Sequence, residues 1–200
     1  MRVPEAIELI RPAIHTWGGT WAEFGAGTGL FTGALARVLG PSGRIIAVDR
    51  DRRALSELSR LAREHTDAVA EILPVQGDFQ SLGSIGELAG FDLDGALFAN
   101  ALHFAPHAGG VLEQVAGLLG DGGRIVVVEY DRRPASRWVP YPVSIERLGV
   151  LASEASLEGP RVVGERPSAF GGAMYCAVLD RPNRQASTSV GNRQGHDQVP

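Results

Sequence analysis

The fold is decided by residues 20–29, which read TWAEFGAGTG. An apolar strand over residues 20–24 runs into Gly25, Gly27 and Gly29, and a helical pattern of apolar residues begins directly after them. Glycine permits positive φ and has no side chain to keep a ligand away from the backbone, while the following helix presents unpaired N–H groups and a partial positive charge. The stretch therefore predicts a ligand-binding turn between a strand and a helix.

The spacing of these glycines argues against a dinucleotide. A dinucleotide-binding turn requires G-x-G-x-x-G, whereas here Gly29 comes one residue early and Leu30 occupies the place of the last glycine. Glu23, two residues before the first glycine, would repel a pyrophosphate but would accept hydrogen bonds from an amino or ammonium group. The turn favours a nucleotide that carries an amino acid.

An acid followed by G-x-G-x-G at the end of a first strand resembles the first motif of the class I S-adenosylmethionine-dependent methyltransferases. The matching residues are Glu23, Gly25, Gly27 and Gly29, with Ala26 between the first two glycines. The resemblance covers roughly residues 20–180. It implies an α/β fold, a three-layer αβα sandwich whose mostly parallel seven-stranded sheet has an antiparallel last strand, and S-adenosylmethionine as cofactor. The alternation of strand and helix patterns independently favours a parallel α/β sheet.

The second strand, residues 43–49, ends in an acid. A carboxylate there accepts both hydroxyls of a ribose, and its charge argues against a 2′-phosphate, so Asp49 is a candidate ribose ligand. The alternative is that Asp49 caps the helix predicted over residues 51–65. In many relatives the next residue is apolar and covers adenine; here it is Arg50, which either covers the base with its stem or points to solvent.

The third strand, residues 72–79, ends in Gly-Asp-Phe. The resemblance implies that Asp78 binds the exocyclic amino group of adenine. A carboxylate suits a donor-only group, and Phe79 beside it would cover part of the base. The alternative is an acid in an exposed turn.

The fourth strand, residues 91–100, leads into the segment where the resembled fold brings methyl donor and acceptor together. Asn100 is predicted to contact the cofactor, and His103 is the candidate catalytic general base. Two alternatives remain open for His103, since a histidine here would also cap a helix or lie in solvent. The chain lacks the Asn/Asp-Pro-Pro-aromatic signature of enzymes that methylate amide or nucleobase nitrogens.

Further strands are predicted over residues 125–130, 161–165 and 173–179, and a helix over residues 144–156. The resemblance implies that the loop of residues 130–142 faces the methyl donor. In it, Trp138 and Tyr141 would wall an apolar acceptor while Arg132 or Arg133 pairs with a carboxylate or phosphate. The open alternative is a Pro-rich crossover with solvated arginines.

Length and composition indicate the domain organisation and limit the kinds of partner and metal site. The 200 residues predict one domain over residues 1–181, with a leading helix within residues 1–14, and a disordered tail over residues 182–200. The net charge is −4, and the one thin basic footprint, Arg132, Arg133, Arg137 and Trp138, makes a nucleic-acid partner unlikely. One cysteine, Cys176, and five histidines show no metal-ligand spacing, so no structural metal is predicted. We expect a cytoplasmic protein without a membrane span; the oligomeric state stays open.

The resemblance thus implies a methyltransferase, and we expect it to act on a small-molecule substrate by direct in-line transfer. Because the sulfonium leaves as a neutral thioether, alignment of donor and acceptor is the protein's main task. The short segment before the first strand predicts a small substrate lid or one supplied by another chain. The alternatives are a cofactor-binding but inactive partner subunit, and a nucleotide-dependent oxidoreductase.

Overall fold

A computed structural model describes residues 1–15, 17–64, 68–168 and 172–182. Seven strands form one sheet: β1 (Gly19–Phe24), β2 (Gly43–Asp49), β3 (Glu71–Gln76), β4 (Leu93–Ala99), β5 (Leu119–Asp131), β6 (Glu158–Pro167) and β7 (Ala173–Asp180). Their spatial order is β3-β2-β1-β4-β5-β7-β6, and β7 runs in the direction opposite to the other six strands. The predicted fold class and the antiparallel last strand are confirmed.

Within the described residues, five α-helices cover the two faces of the sheet: α1 (Val3–Ile10), α2 (Leu30–Leu39), α3 (Arg52–Glu64), α4 (Ala108–Leu118) and α5 (Ile145–Glu154). One apolar core joins α1, α2 and α3 to one face of the sheet, and a second joins α4 and α5 to the other. The central strands are buried on both sides, so that Ile45 and Ala47 belong to one core while Ile46 and Val48 belong to the other. This is the three-layer sandwich.

Most predicted elements appear within a few residues of the expected bounds, and β2 has the predicted bounds. The fifth strand is the largest departure, since residues 125–130 were expected and β5 begins at Leu119. Leu119 pairs with Leu93, and after an irregularity Arg124 pairs with Gly95, so the glycine-rich turn is absorbed into the strand. The leading helix is α1 followed by a 3₁₀ turn at Arg11–Ala13.

Some predictions fall on residues without a description. The predicted end of the second helix, His65, and the tail beyond Pro182 lie outside the described residues. Cys176 is buried in β7, as its strand pattern suggested. Among the described residues, none of the helices combines the length and the apolar character that a membrane span requires.

Candidate active site

The candidate site lies at the carboxyl ends of the central strands. In the sheet, β1 lies between β2, which follows it along the chain, and β4. The strand order therefore reverses at β1, and the gap between β1 and β4 is a topological switch point. A cavity of about 280 Å³ opens there, which we call the switch-point cavity. The predicted site residues that line it are Gly25, Gly27, Asp49, Arg50, Asp78, Phe79 and Asn100. Its further lining residues, which the sequence did not single out, are Gly77, Gln80, Ala101 and Phe104.

Three of the predicted cofactor-binding residues do not line this cavity. Gly29 is at φ 90°, and a Cβ built on it would lie 2.7 Å from Leu61 Cδ2, so it allows α2 to pack closely against α3. Ala26 is buried in the core on the α2 face of the sheet. Glu23 is 1% exposed, behind the loop rather than on the cavity wall.

The carboxyl group of Glu23 has an unusual environment. Its Oε2 is buried, and no described residue donates a hydrogen bond to it. Burial raises the pKa of Glu23 to about 8; the nearby Asp49 carboxylate adds to the shift, while the Thr32 hydroxyl opposes it. In the absence of a cation, Glu23 is therefore largely protonated at neutral pH.

Asp49 is held in place by backbone donors. Its Oδ2 accepts a hydrogen bond from Gly27 N–H at 2.7 Å, and its Oδ1 accepts one from Asp51 N–H at 2.8 Å. Each carboxylate oxygen has a second lone pair, so Asp49 keeps acceptor capacity on the cavity side. Neither bond belongs to the helix-capping role that was the alternative for Asp49. The side chain that caps the start of α3 belongs to Asp51, which accepts from Arg53 N–H at 2.9 Å.

Asp78 and Phe79 shape the far wall of the cavity. Asp78 caps a 3₁₀ helix, Phe79–Ser84, by accepting from Gln80 N–H at 2.9 Å through Oδ1. Phe79 makes an edge-to-face contact with Phe98, with ring centroids 5.6 Å apart. The Phe79 ring is thereby fixed at the cavity edge, where one face of a planar ligand would lie.

Asn100 stands at the exit of β4 in a left-handed conformation, with φ 53°. Its backbone N–H donates to Val128 O at 2.9 Å, which joins the exit of β4 to β5. The side-chain Oδ1 is buried, and no described residue donates to it. A strained residue with an unpartnered acceptor at a cavity wall indicates a ligand contact.

S-adenosylmethionine, the ligand that the resemblance implies, fits this chemistry. Glu23 Oε2 and Asn100 Oδ1 are buried acceptors that need a donor, and the ligand offers an ammonium and hydroxyl groups. A Cβ built on Gly27 would meet nothing within 4 Å, so the loop leaves open space beside its backbone. Asp49 and Asp78 also line the cavity and add carboxylate acceptors to it.

A second pocket of about 390 Å³ adjoins the first, and we call it the acceptor-side pocket. The two share Asn100 and Phe104. The other lining residues of the acceptor-side pocket are His103, Tyr130, Arg133, Trp138 and Val139. Two cavities that meet at a common pair of residues provide room for two ligands in contact.

His103 is neither solvated nor a helix cap. It is 3% exposed in the 3₁₀ turn Leu102–Phe104, and its Nδ1 lies 2.8 Å from Oε2 of Glu129, which is 1% exposed. His103 N–H also donates to Glu129 Oε1 at 3.2 Å. The carboxylate assigns the ring proton to Nδ1, so Nε2 carries the lone pair. No described residue bonds Nε2, and His103 lines the acceptor-side pocket.

Glu129 was not among the predicted site residues, although the sequence contains a signal for it. It is a single charged residue near the end of the apolar run of β5, and such a residue is buried only with a partner. Its partner is 26 residues away along the chain and one strand away in the sheet. Only the pairing of β4 with β5 brings the two together.

Only some of the predicted residues in the loop 130–142 line the acceptor-side pocket. Trp138 lines it as predicted, while Tyr141 does not; its N–H donates to His103 O at 3.1 Å. Arg133 lines it with its guanidinium 4.5 Å from the Tyr130 ring centroid. Arg132 is 90% exposed beside Asp131, outside the pocket.

The comparisons with known proteins agree with this architecture. A family model described as a methyltransferase domain matches residues 22–125, more than half of the chain. None of the curated proteins compared with the chain matches it.

Similar solved structures include an arsenic(III) S-adenosylmethionine methyltransferase from Chlamydomonas reinhardtii, 20% identical, covering 88% of this chain and 68% of that one with a TM-score of 0.65. A possible histamine N-methyltransferase from Thermotoga maritima is 16% identical, with 90% of each chain covered and a TM-score of 0.67. Aeropyrum pernix fibrillarin, solved with natively bound S-adenosylmethionine, is 23% identical, with 81% and 67% covered and a TM-score of 0.61. At these identities the likeness shows the fold.

Proposed function

Because the chain belongs to the family of methyltransferase domains and its cofactor is S-adenosylmethionine, we propose that it methylates a small-molecule acceptor by in-line displacement, with His103 as general base. The observation that carries the proposal is the junction of the two cavities. They meet at Asn100 and Phe104, and His103 lines the acceptor side of this junction. A nucleotide-dependent oxidoreductase, the third alternative, has no support in the family match.

The cofactor supplies a methyl group activated by the sulfonium to which it is bound. On its side of the junction, Gly25 and Gly27 give the ligand access to the backbone, and Asn100 accepts a hydrogen bond next to the acceptor-side pocket. Glu23, behind the loop, accepts from the ligand's ammonium through a bridging water. Asp49 binds the ribose hydroxyls. Asp78 binds the adenine amino group, while Phe79 and Arg50 cover the base.

The chain's main contribution is alignment, which is worth up to roughly 7 to 11 kcal/mol for well-oriented reactants. Besides aligning the reactants, the chain needs a general base when the nucleophile arrives protonated. Glu129 is a positioning residue, because its carboxylate fixes the tautomer of His103 and stabilises the imidazolium formed when Nε2 takes up a proton. Acid catalysis is unnecessary, since the departing thioether is neutral.

Transfer of a labelled methyl group tests this function. The protein, incubated with methyl-labelled S-adenosylmethionine and a panel of small alcohols, phenols, amines and thiols, is expected to release S-adenosylhomocysteine and a labelled small molecule. His103→Ala is the matched variant that keeps the cofactor cavity. Label incorporated only into added protein or RNA would overturn the small-molecule assignment. Cofactor binding with no transfer to any acceptor would support the inactive partner subunit.

A further inference from the structure

Three aromatic rings wall the acceptor-side pocket. They belong to Phe104, Tyr130 and Trp138, and the remaining apolar wall is Val139. Trp138 lines the pocket and is 66% exposed, so a large part of this aromatic side chain is accessible. Aromatic walls bind planar rings by offset stacking or edge-to-face contact. The pocket volume of about 390 Å³ lies at the small end of the range for small-molecule sites. An aromatic acceptor of modest size fits both properties.

Arg133 gives the pocket a permanent positive charge. Its side chain is half-buried, and the guanidinium is placed over the Tyr130 ring at 4.5 Å. The described lining residues include no carboxylate, because Glu129 is buried behind His103. A guanidinium is charged at every physiological pH, and the geometry of its planar N–H donors matches that of a carboxylate. The pocket therefore favours an acceptor with an anionic group.

The pair of His103 and Glu129 selects the nucleophile. A neutral amine attacks without losing a proton first, and a thiol ionises readily, so neither requires an oriented base. An aliphatic alcohol is too weakly acidic for an imidazole to deprotonate efficiently, whereas a phenolic hydroxyl, with a pKa of about 10, is within range. A buried imidazole whose Nδ1 is held by a carboxylate suits a hydroxyl attached to an aromatic ring.

We infer that the acceptor is a hydroxyl-bearing aromatic acid, whose ring lies against Tyr130 and Trp138, whose carboxylate pairs with Arg133, and whose hydroxyl faces His103. The inference rests on the proposed function and specifies its substrate class. In the reaction the hydroxyl oxygen forms a bond to the methyl carbon as the carbon–sulfonium bond breaks. The hydroxyl proton passes to Nε2 of His103 and then to solvent. The products are an aryl methyl ether and neutral S-adenosylhomocysteine.

The test compares hydroxybenzoates and hydroxycinnamates with the methyl esters of the same acids, which keep the ring and the hydroxyl but lose the charge. We expect kcat/KM for the acids to exceed that for the esters by about tenfold or more, the scale of a charge-assisted hydrogen bond. Arg133→Gln should abolish this preference. Arg137→Gln is the matched control, because Arg137 stacks on Trp138 at 4.6 Å but does not line the pocket.

The outcomes separate this inference from the proposed function. Esters that react as well as the acids, or an acid preference that survives in Arg133→Gln, would overturn the inference. Methylation of amines or thiols with no aryl ether formed would also overturn it while leaving small-molecule methylation intact. Calorimetric binding of S-adenosylmethionine to each variant shows that it is folded. If a variant binds the cofactor normally, a change in its preference between acids and esters reflects the acceptor-side pocket.

Discussion

At the scale of single residues, two carboxylates on neighbouring strands have different tasks because their surroundings differ. Glu23 is buried with an unpartnered oxygen, which makes it a neutral acid until a cation arrives. Asp49 is fixed by two backbone N–H groups and faces the cavity. The first is suited to an ammonium and the second to neutral hydroxyls.

Replacement of Asp49 by alanine should weaken S-adenosylmethionine binding by about 1.5 to 3 kcal/mol, the scale of hydrogen bonds to a charged group. Isothermal calorimetry measures the change. Asp92→Ala is the control, since Asp92 is exposed before the amino end of β4, at the opposite edge of the sheet. Equal affinities of wild type and a folded Asp49→Ala protein would remove Asp49 from the site.

Replacement of His103 by alanine should lower kcat by about 10²- to 10⁴-fold with a weakly acidic acceptor and leave cofactor affinity unchanged. Glu129→Gln should give a smaller loss in the same direction, because the ring remains but its tautomer is no longer fixed. Acceptors that are already ionised should reduce both losses, which a purely structural defect would not do. A loss of equal size for every acceptor would make His103 a structural residue.

At the scale of elements, the glycine loop combines two separate roles. Gly27 leaves space for a ligand, because a Cβ there would meet nothing, whereas Gly29 leaves space for Leu58 and Leu61 of α3. Both residues have positive φ, at 55° and 90°, so a side chain at either position adds backbone strain of about 1 to 2 kcal/mol. The sequence motif does not distinguish the two roles.

Alanine at each glycine should therefore have a different effect. Gly27→Ala should lower cofactor affinity, with a stability loss limited to the strain, because its methyl group enters ligand space. Gly29→Ala should lose more stability, since its Cβ would lie 2.7 Å from Leu61 Cδ2. Chemical denaturation gives the stability and calorimetry the affinity. The same pattern in both variants would contradict the division of roles.

The sequence predicts the elements well where local patterning decides them. β2 and the antiparallel β7 follow from apolar runs bounded by turns. The early start of β5 depends on pairing with β4 across an irregularity, which no local pattern specifies. Glu129 was missed for the same reason, because its role exists only when β5 lies beside the exit of β4. The acidic motif residues were found because their spacing along the chain is local.

At the scale of the whole molecule, Glu23 links stability to pH. Its folded pKa of about 8 lies above the ordinary value of 4.5, so the folded protein holds this proton more tightly than the unfolded chain. The contribution is fully present below about pH 4.5 and is lost as pH rises to about 8. The shift corresponds to at most about 5 kcal/mol.

Glu23→Gln should therefore gain stability relative to wild type between pH 5 and pH 8, by on the order of a few kcal/mol, while it loses cofactor affinity. Denaturant unfolding of both cofactor-free proteins at a series of pH values measures the difference. Glu113→Gln, at an exposed position of α4, is the control and should show no such trend. A pH-independent difference between Glu23→Gln and wild type would place the Glu23 carboxylate in an ordinary environment.

The central claim is that the switch-point cavity binds S-adenosylmethionine through the glycine loop and its acidic neighbours. Its most direct test is a calorimetric titration of the protein with S-adenosylmethionine, S-adenosylhomocysteine, NAD and NADP, repeated with Asp49→Ala. We expect that only the two sulfur nucleosides bind and that both bind more weakly to the variant. Binding of NAD or NADP instead, or no binding of either sulfur nucleoside, would contradict it.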